Sequence, residues 1–212
     1  MTESRSLVIL TGPEFLARPA GSPWDFTDLA RLHSAVDEKC RAQEALGPMA
    51  CRKGCHHCCR RIPTVLPVEY AFIARNQEEP ETVRPEALEG RTEPVDSVRT
   101  SRRLRLLSTS GVELRSLLHP GELLCGHLEG DGSCGIYGFR PLICRTHGFL
   151  HLSEEGLDHC PWNFQGLEEV DEDLPFRLES LSETLLRVNL SFLRKSYPRS
   201  WMELAQARIR FQ

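Results

Sequence analysis

Residues 51–61 read CRKGCHHCCRR, four cysteines and two histidines set among four basic side chains. Inert cysteines are not expected at this density, so the stretch points to metal or thiol chemistry. In C-x3-C-x2-C-C, the side chains of Cys51, Cys55 and Cys58 can converge on one centre if the backbone turns around Gly54. Adjacent Cys58 and Cys59 leave the backbone in different directions. Cys59 is therefore expected to serve a second metal, or to complete a polynuclear site from another side.

Four more thiols, Cys125, Cys134, Cys144 and Cys160, fall in a region rich in Gly, Pro and His with no sustained hydrophobic period. Such a region needs something other than a core to order it, and a metal can join two half-sites distant in sequence. Eight thiols suit two four-cysteine zinc sites, one cluster with spare ligands, or two iron–sulfur clusters, and spacing does not choose among them. The ninth cysteine, Cys40, follows Leu29, Leu32 and Val36 at helical spacing and reads as a small buried hydrophobe.

Composition limits the alternatives. The 212 residues are 40% hydrophobic and 26% charged, as in an ordinary globular chain, and the formal charge of -4 gives no global pull toward nucleic acid or anionic lipid. The N-terminus carries only a short apolar run, and no stretch approaches the ~18 apolar residues of a membrane span. The expected compartment is the cytoplasm, whose reducing poise argues against a disulfide framework.

The expected fold class is mainly α, a single small helical domain with two cysteine-rich loops organised around a metal centre. Residues 1–24, with a short strand at Ser6–Leu10, are expected to be a loosely docked N-terminal segment, 25–198 the metal-binding domain with its helical scaffold, and 199–212 a C-terminal helix. Helices are expected from Asp25 to about Gly47, from Pro67 through LPVEYAFIARN, over 97–118 on Leu104, Leu107, Leu114 and Leu118, and from about Pro175 to Ser196. The last carries Leu178, Leu181, Leu185, Val188 and Phe192 on one face, with Asp173 near its start.

Charge bears on the metal independently. A buried tetrathiolate zinc site carries about -2 and needs positive charge or hydrogen-bond donors nearby. Arg52, Lys53, Arg60, Arg61, Arg140 and Arg145 all stand within a few residues of the thiols, and Arg140 and Arg145 are assigned to hold the anionic cofactor. His56, His57, His127, His147 and His159 neighbour cysteines, where ligand, outer-shell and solvent-exposed roles all remain open. A Cys144–His147 nucleophile pair lacks a recognisable orienting carboxylate or amide and an oxyanion site.

The spacing C-x3-C-x2-C also resembles that of radical S-adenosylmethionine enzymes, but no strand–helix alternation follows it and Cys59 exceeds the pattern. CRKGCHHCC, then LCGHLEGDGSCGIYGFRPLICRTHG, then CPW together resemble the bacterial YkgJ-type cysteine-cluster family, a zinc- or iron-chelating domain. The second motif is carried by Cys134, Gly135, Ile136, Tyr137, Arg140, Pro141, Cys144 and Arg145. The resemblance spans about residues 48–162 and implies metal or iron–sulfur binding by Cys51, Cys55, Cys58, Cys59, Cys125, Cys134, Cys144 and Cys160. It implies no particular reaction. Gly126 and His127 depart from the pattern of relatives, which often have Pro and an aromatic there. A related motif occurs in flagellin lysine methylases, which are much longer.

The expected function is that of a metal-binding cysteine-cluster protein with an iron–sulfur centre and a redox or metal-handling role, its partner a redox protein or another protein still unidentified. The competing class is a zinc-stabilised, non-enzymatic interaction module.

Overall fold

A computed structural model describes residues 8–17, 21–51, 55, 56, 59, 64–78, 103–105, 125–154 and 156–210. The fold is mixed α/β, which corrects the mainly helical expectation. Its helices are α1 (Gly12–Leu16), α2 (Thr27–Glu44), α3 (Pro67–Glu78), α4 (Leu142–Thr146), α5 (Leu178–Ser196) and α6 (Trp201–Leu204). Its strands are β1 (Val8–Leu10), β2 (Thr64–Val65), β3 (Arg103–Arg105), β4 (His151–Ser153), β5 (Gly156–Asp158), β6 (Glu169–Asp171), β7 (Phe176–Arg177) and β8 (Ala207–Arg210). Strands of two to four residues are too short for the period-2 alternation that reveals a strand in sequence.

Among the described residues three small sheets result. In the first, β8 is central, parallel to β1 and antiparallel to β2; in the second, β3 pairs antiparallel with β6. In the third, β4 lies between antiparallel β5 and parallel β7. Within the helix expected over 97–118, residues 103–105 form β3, with Leu104 in register with Val170; the rest of that stretch lies outside the described residues. In the expected C-terminal helix, four residues are helical and Ala207–Arg210 form the central strand. Residues 8–16, inside the segment expected to dock loosely, carry β1 and α1, and Phe15 is fully buried.

Among the described residues two hydrophobic clusters form the core. One gathers Phe15, Leu29, Val65, Ile73, Phe192, Leu193, Tyr197 and Ile209, and the other Val36, Cys40, Leu142, Phe149, Leu150, Phe164, Val170 and Phe176. Helices α2 and α5 span both, because each presents successive turns of one apolar stripe to successive parts of the core. The cysteine-rich segments lie across the same two clusters: Cys125 and Cys134 pack against the first, while Leu142 of α4 belongs to the second. Among the described residues no helix is long and apolar enough to cross a membrane.

The α2 stripe contains polar members that periodicity did not single out. Gln43 is completely buried, accepting from the Leu150 N–H at 2.7 Å and donating to the Leu174 carbonyl at 2.8 Å, so one amide ties the helix to two later segments. His33 is buried against the Phe72 ring, and its Nε2 has no hydrogen-bond partner among the described residues. Burial, reinforced by the charge of Arg145, lowers its pKa to about 3. Between that value and the ordinary 6.5 the unfolded chain binds a proton that the folded chain refuses, so stability falls as pH drops through this window. From this residue alone, acidification from about pH 7 to about pH 5 should cost about 2 kcal/mol. Urea midpoints of wild type and His33→Leu across that range should show the flatter profile in the variant; parallel profiles would contradict the assignment.

Candidate metal centre

Local chemistry explains how the second cysteine segment holds its shape without a continuous core. Asp131 Oδ1 accepts from the Ser133 backbone N–H at 2.9 Å, closing a turn, and Leu128 and Cys134 form a short antiparallel bridge across it. The chain then passes through a 3-10 turn at Tyr137–Phe139 and enters α4, which carries Cys144. The start of α4 is held by Glu69, a buried carboxylate that accepts from the Leu142 N–H at 2.7 Å and from the Leu66 N–H at 3.2 Å. Burial raises the Glu69 pKa, and the two N–H donors partly offset it.

The arginines of the second motif divide their work. Arg145 is buried and spends its donors on both Asp37 oxygens at 2.9 Å, on the Arg140 carbonyl and on the Gly138 carbonyl, bracing the loop onto α2. Arg140 stacks its guanidinium 3.7 Å from the centroid of the Tyr137 ring, and its charge acts on the Cys51 thiol. Breaking the buried Arg145 pair would leave an uncompensated charge, so this arginine is tied to loop geometry.

Three of the described thiols draw together as a first group. Cys51 and Cys160 lie together over Gly148, and the Cys160 and Cys55 thiols both act on the Cys51 thiol. Bonding from Cys160, then from Asn163, with smaller help from Arg140 and Cys55, outweighs burial and lowers the Cys51 pKa to about 6. The Cys160 pKa is raised, first by its bond to Cys51 and then by burial. Cys51 is the exposed member and Cys160 is half-buried. Elsewhere, the Cys125 N–H donates to the Cys59 carbonyl at 2.9 Å, joining the first motif to the second through the backbone. Cys125 and Cys134 lean on the first core cluster.

Cys40 stands apart, buried in the second cluster with its thiol 3.8 Å from the Arg145 carbonyl; burial, with Asp37 and Glu44, pushes its pKa up to about 12. Cys58 and His57 lie outside the described residues, as do Arg52, Lys53, Arg60 and Arg61. Among the described histidines, His127 approaches the Gln77 side chain at 3.3 Å, His159 Nδ1 lies 2.9 Å from the Cys160 carbonyl, and His147 is exposed.

Two residues absent from the sequence assignments shape the first group. Gly148 has φ +90°, and a Cβ there would lie 3.0 Å from Cys51 Sγ and 3.3 Å from Cys160 Cβ. Only glycine meets both demands, the left-handed backbone and the close approach of sulfur. Asn163, fully buried, donates to Cys51 Sγ at 3.2 Å. A glycine after a cysteine motif was a visible clue; nothing in the sequence distinguished the asparagine.

The donor set tests well against a soft metal. Thiolate sulfurs suit zinc, iron and iron–sulfur clusters, and an exposed thiol of lowered pKa flanked by an N–H donor and an arginine is electrostatically prepared for the ligand state. Among the described residues no three Cys, His, Asp or Glu side chains close into a cage around an ion. Cys51, Cys55 and Cys160 form an open group instead.

Fold and site together define a cysteine-cluster protein of metal-chelating type. The family model CxxCxxCC, "Putative zinc- or iron-chelating domain", matches residues 50–163, and the chain belongs to that family, of which YkgJ is also a member. No curated protein and no solved structure shows a match to the chain.

Proposed function

We propose that the chain holds an iron–sulfur centre in its cysteine loops and serves a redox or metal-handling role with a protein partner. The observation that carries this reading is the Cys51 thiol, exposed, shared with Cys55 and Cys160, and backed by the Asn163 N–H and the Arg140 charge. A centre ligated by an exposed sulfur lies within reach of a partner. The sulfur supply supports the same reading, since Cys51, Cys55, Cys59, Cys125, Cys134, Cys144 and Cys160, with Cys58, exceed the four ligands of one tetrahedral zinc. Such a centre supplies one-electron chemistry when bound. The chain contributes thiolates, hydrogen bonds to sulfur and compensating positive charge.

Protein purified without air should be brown, absorb near ~400 nm, bleach on reduction, and contain iron and acid-labile sulfide in similar amounts. Arg140→Gln should retain iron while lowering the reduction potential, because a positive charge near the centre favours its more negative, reduced state. Colourless protein from an iron-replete preparation, with stoichiometric zinc and no sulfide, would replace this reading with a zinc-stabilised interaction module. The exposed side chains of Tyr137, Ile143 and Trp162, all within the cysteine-rich segment, favour that second reading by offering an apolar contact surface.

A further inference from the structure

We propose that Asn163, which belongs to none of the cysteine motifs, fixes the position of the Cys51 sulfur and sets its donor strength toward the bound metal. The inference rests on the metal-binding reading above and adds a positioning residue to it.

The Asn163 side chain is fully buried, and each of its polar groups is engaged. Its Oδ1 accepts from the Ala50 N–H at 2.9 Å, while Nδ2 donates to the Gly148 carbonyl at 2.7 Å and to Cys51 Sγ at 3.2 Å. The amide has one permitted orientation. Turned over, it would set an NH2 against the Ala50 N–H and an oxygen against both the Gly148 carbonyl and the Cys51 sulfur. The N–H facing sulfur is therefore imposed by the two backbone partners. The Asn163 backbone N–H also donates to the Cys160 carbonyl at 2.9 Å, so the same residue is tied to the second thiol of the group.

One side chain thus joins the start of the first motif, the turn at Gly148 and the end of the second motif, with partners up to 113 residues away in sequence. The missing Cβ at Gly148 makes room for it, since a Cβ there would lie 3.1 Å from Asn163 Nδ2. A hydrogen bond from an amide draws electron density from a ligating sulfur. A metal bound to Cys51 consequently meets a weaker, better oriented donor than a free thiolate would be.

Cobalt(II) added to metal-stripped protein tests this, because the energy of its sulfur-to-metal charge-transfer absorption reports how readily the sulfurs give up charge. In Asn163→Ala the band should move to longer wavelength and cobalt affinity should fall by about 10- to 100-fold. Asn163→Leu keeps the side-chain size and adds no charge but loses the donor, so it should show the same shift if the alanine variant fails to fold. A residue that only supported the loop would lower the amount of cobalt bound and leave the band in place. An unmoved band in every variant that binds cobalt would overturn the proposal while the metal reading stood. Absence of any sulfur-to-cobalt band in wild type would overturn both.

Discussion

Stripping the metal from the holo-protein should release residues 51–59 and 125–160 together. Bound metal contributes folding free energy directly, with apparent values of about 10–16 kcal/mol for structural zinc in small domains. Here the two segments are joined by the Cys125 N–H to Cys59 carbonyl bond, by the Asn163 amide and by the contact between Cys51 and Cys160. Loss of the ion leaves those links, and the core contacts of Ile136, Leu142, Phe149 and Leu150, to hold what the metal no longer ties. The thermal midpoint should drop by on the order of 20 °C, given the few degrees per kcal/mol expected at this chain length. Amide exchange measured before and after chelation should show protection lost at Cys59 in the first segment and at Cys125 and Cys160 in the second, in step. Loss confined to one segment would mean separate, independent sites.

Substituting single cysteines should divide them sharply. Cys51→Ala and Cys160→Ala each remove a thiol from the hydrogen-bonded group and should abolish stoichiometric metal. Cys40→Ala should bind metal fully and cost only packing, about 1–2 kcal/mol, since Cys40 is enclosed by the second core cluster and burial keeps its thiol protonated. Elemental analysis together with urea unfolding distinguishes the two effects. Equal metal loss from Cys40→Ala and Cys51→Ala would defeat the partition.

Local periodicity revealed the long helices. The expected helix from Asp25 corresponds to α2 and the one beginning at Pro67 to α3, because an apolar stripe repeating every three to four residues is visible within a single segment. The start expected at Pro175 falls instead at Leu178, since Phe176 and Arg177 are drawn into β7 alongside β4. That competition depends on a neighbouring strand, and no window of sequence contains it. The same holds at the C-terminus, where Ala207–Arg210 extend because β1 and β2 arrive on either side. Strand pairing overrode a weak helical pattern.

The sequence by itself determined the cysteine motifs, their family and the soft-metal chemistry, because thiol identity and spacing are local properties that no tertiary contact alters. It also set Cys40 apart, through its place on a helical stripe. Only the tertiary structure decided which described thiols meet, placing Cys160 beside Cys51 and the Cys59 carbonyl against the Cys125 N–H. It alone revealed Glu69 at the start of α4, Gly148 beneath Cys51, and Asn163 as the amide donating to sulfur. Each of these residues reaches at least one partner far away in sequence, 73 positions for Glu69 to Leu142 and 113 for Asn163 to Ala50. A buried polar group is satisfied by whatever folding brings within about 3 Å, and that pairing leaves no period or spacing for a sequence to show.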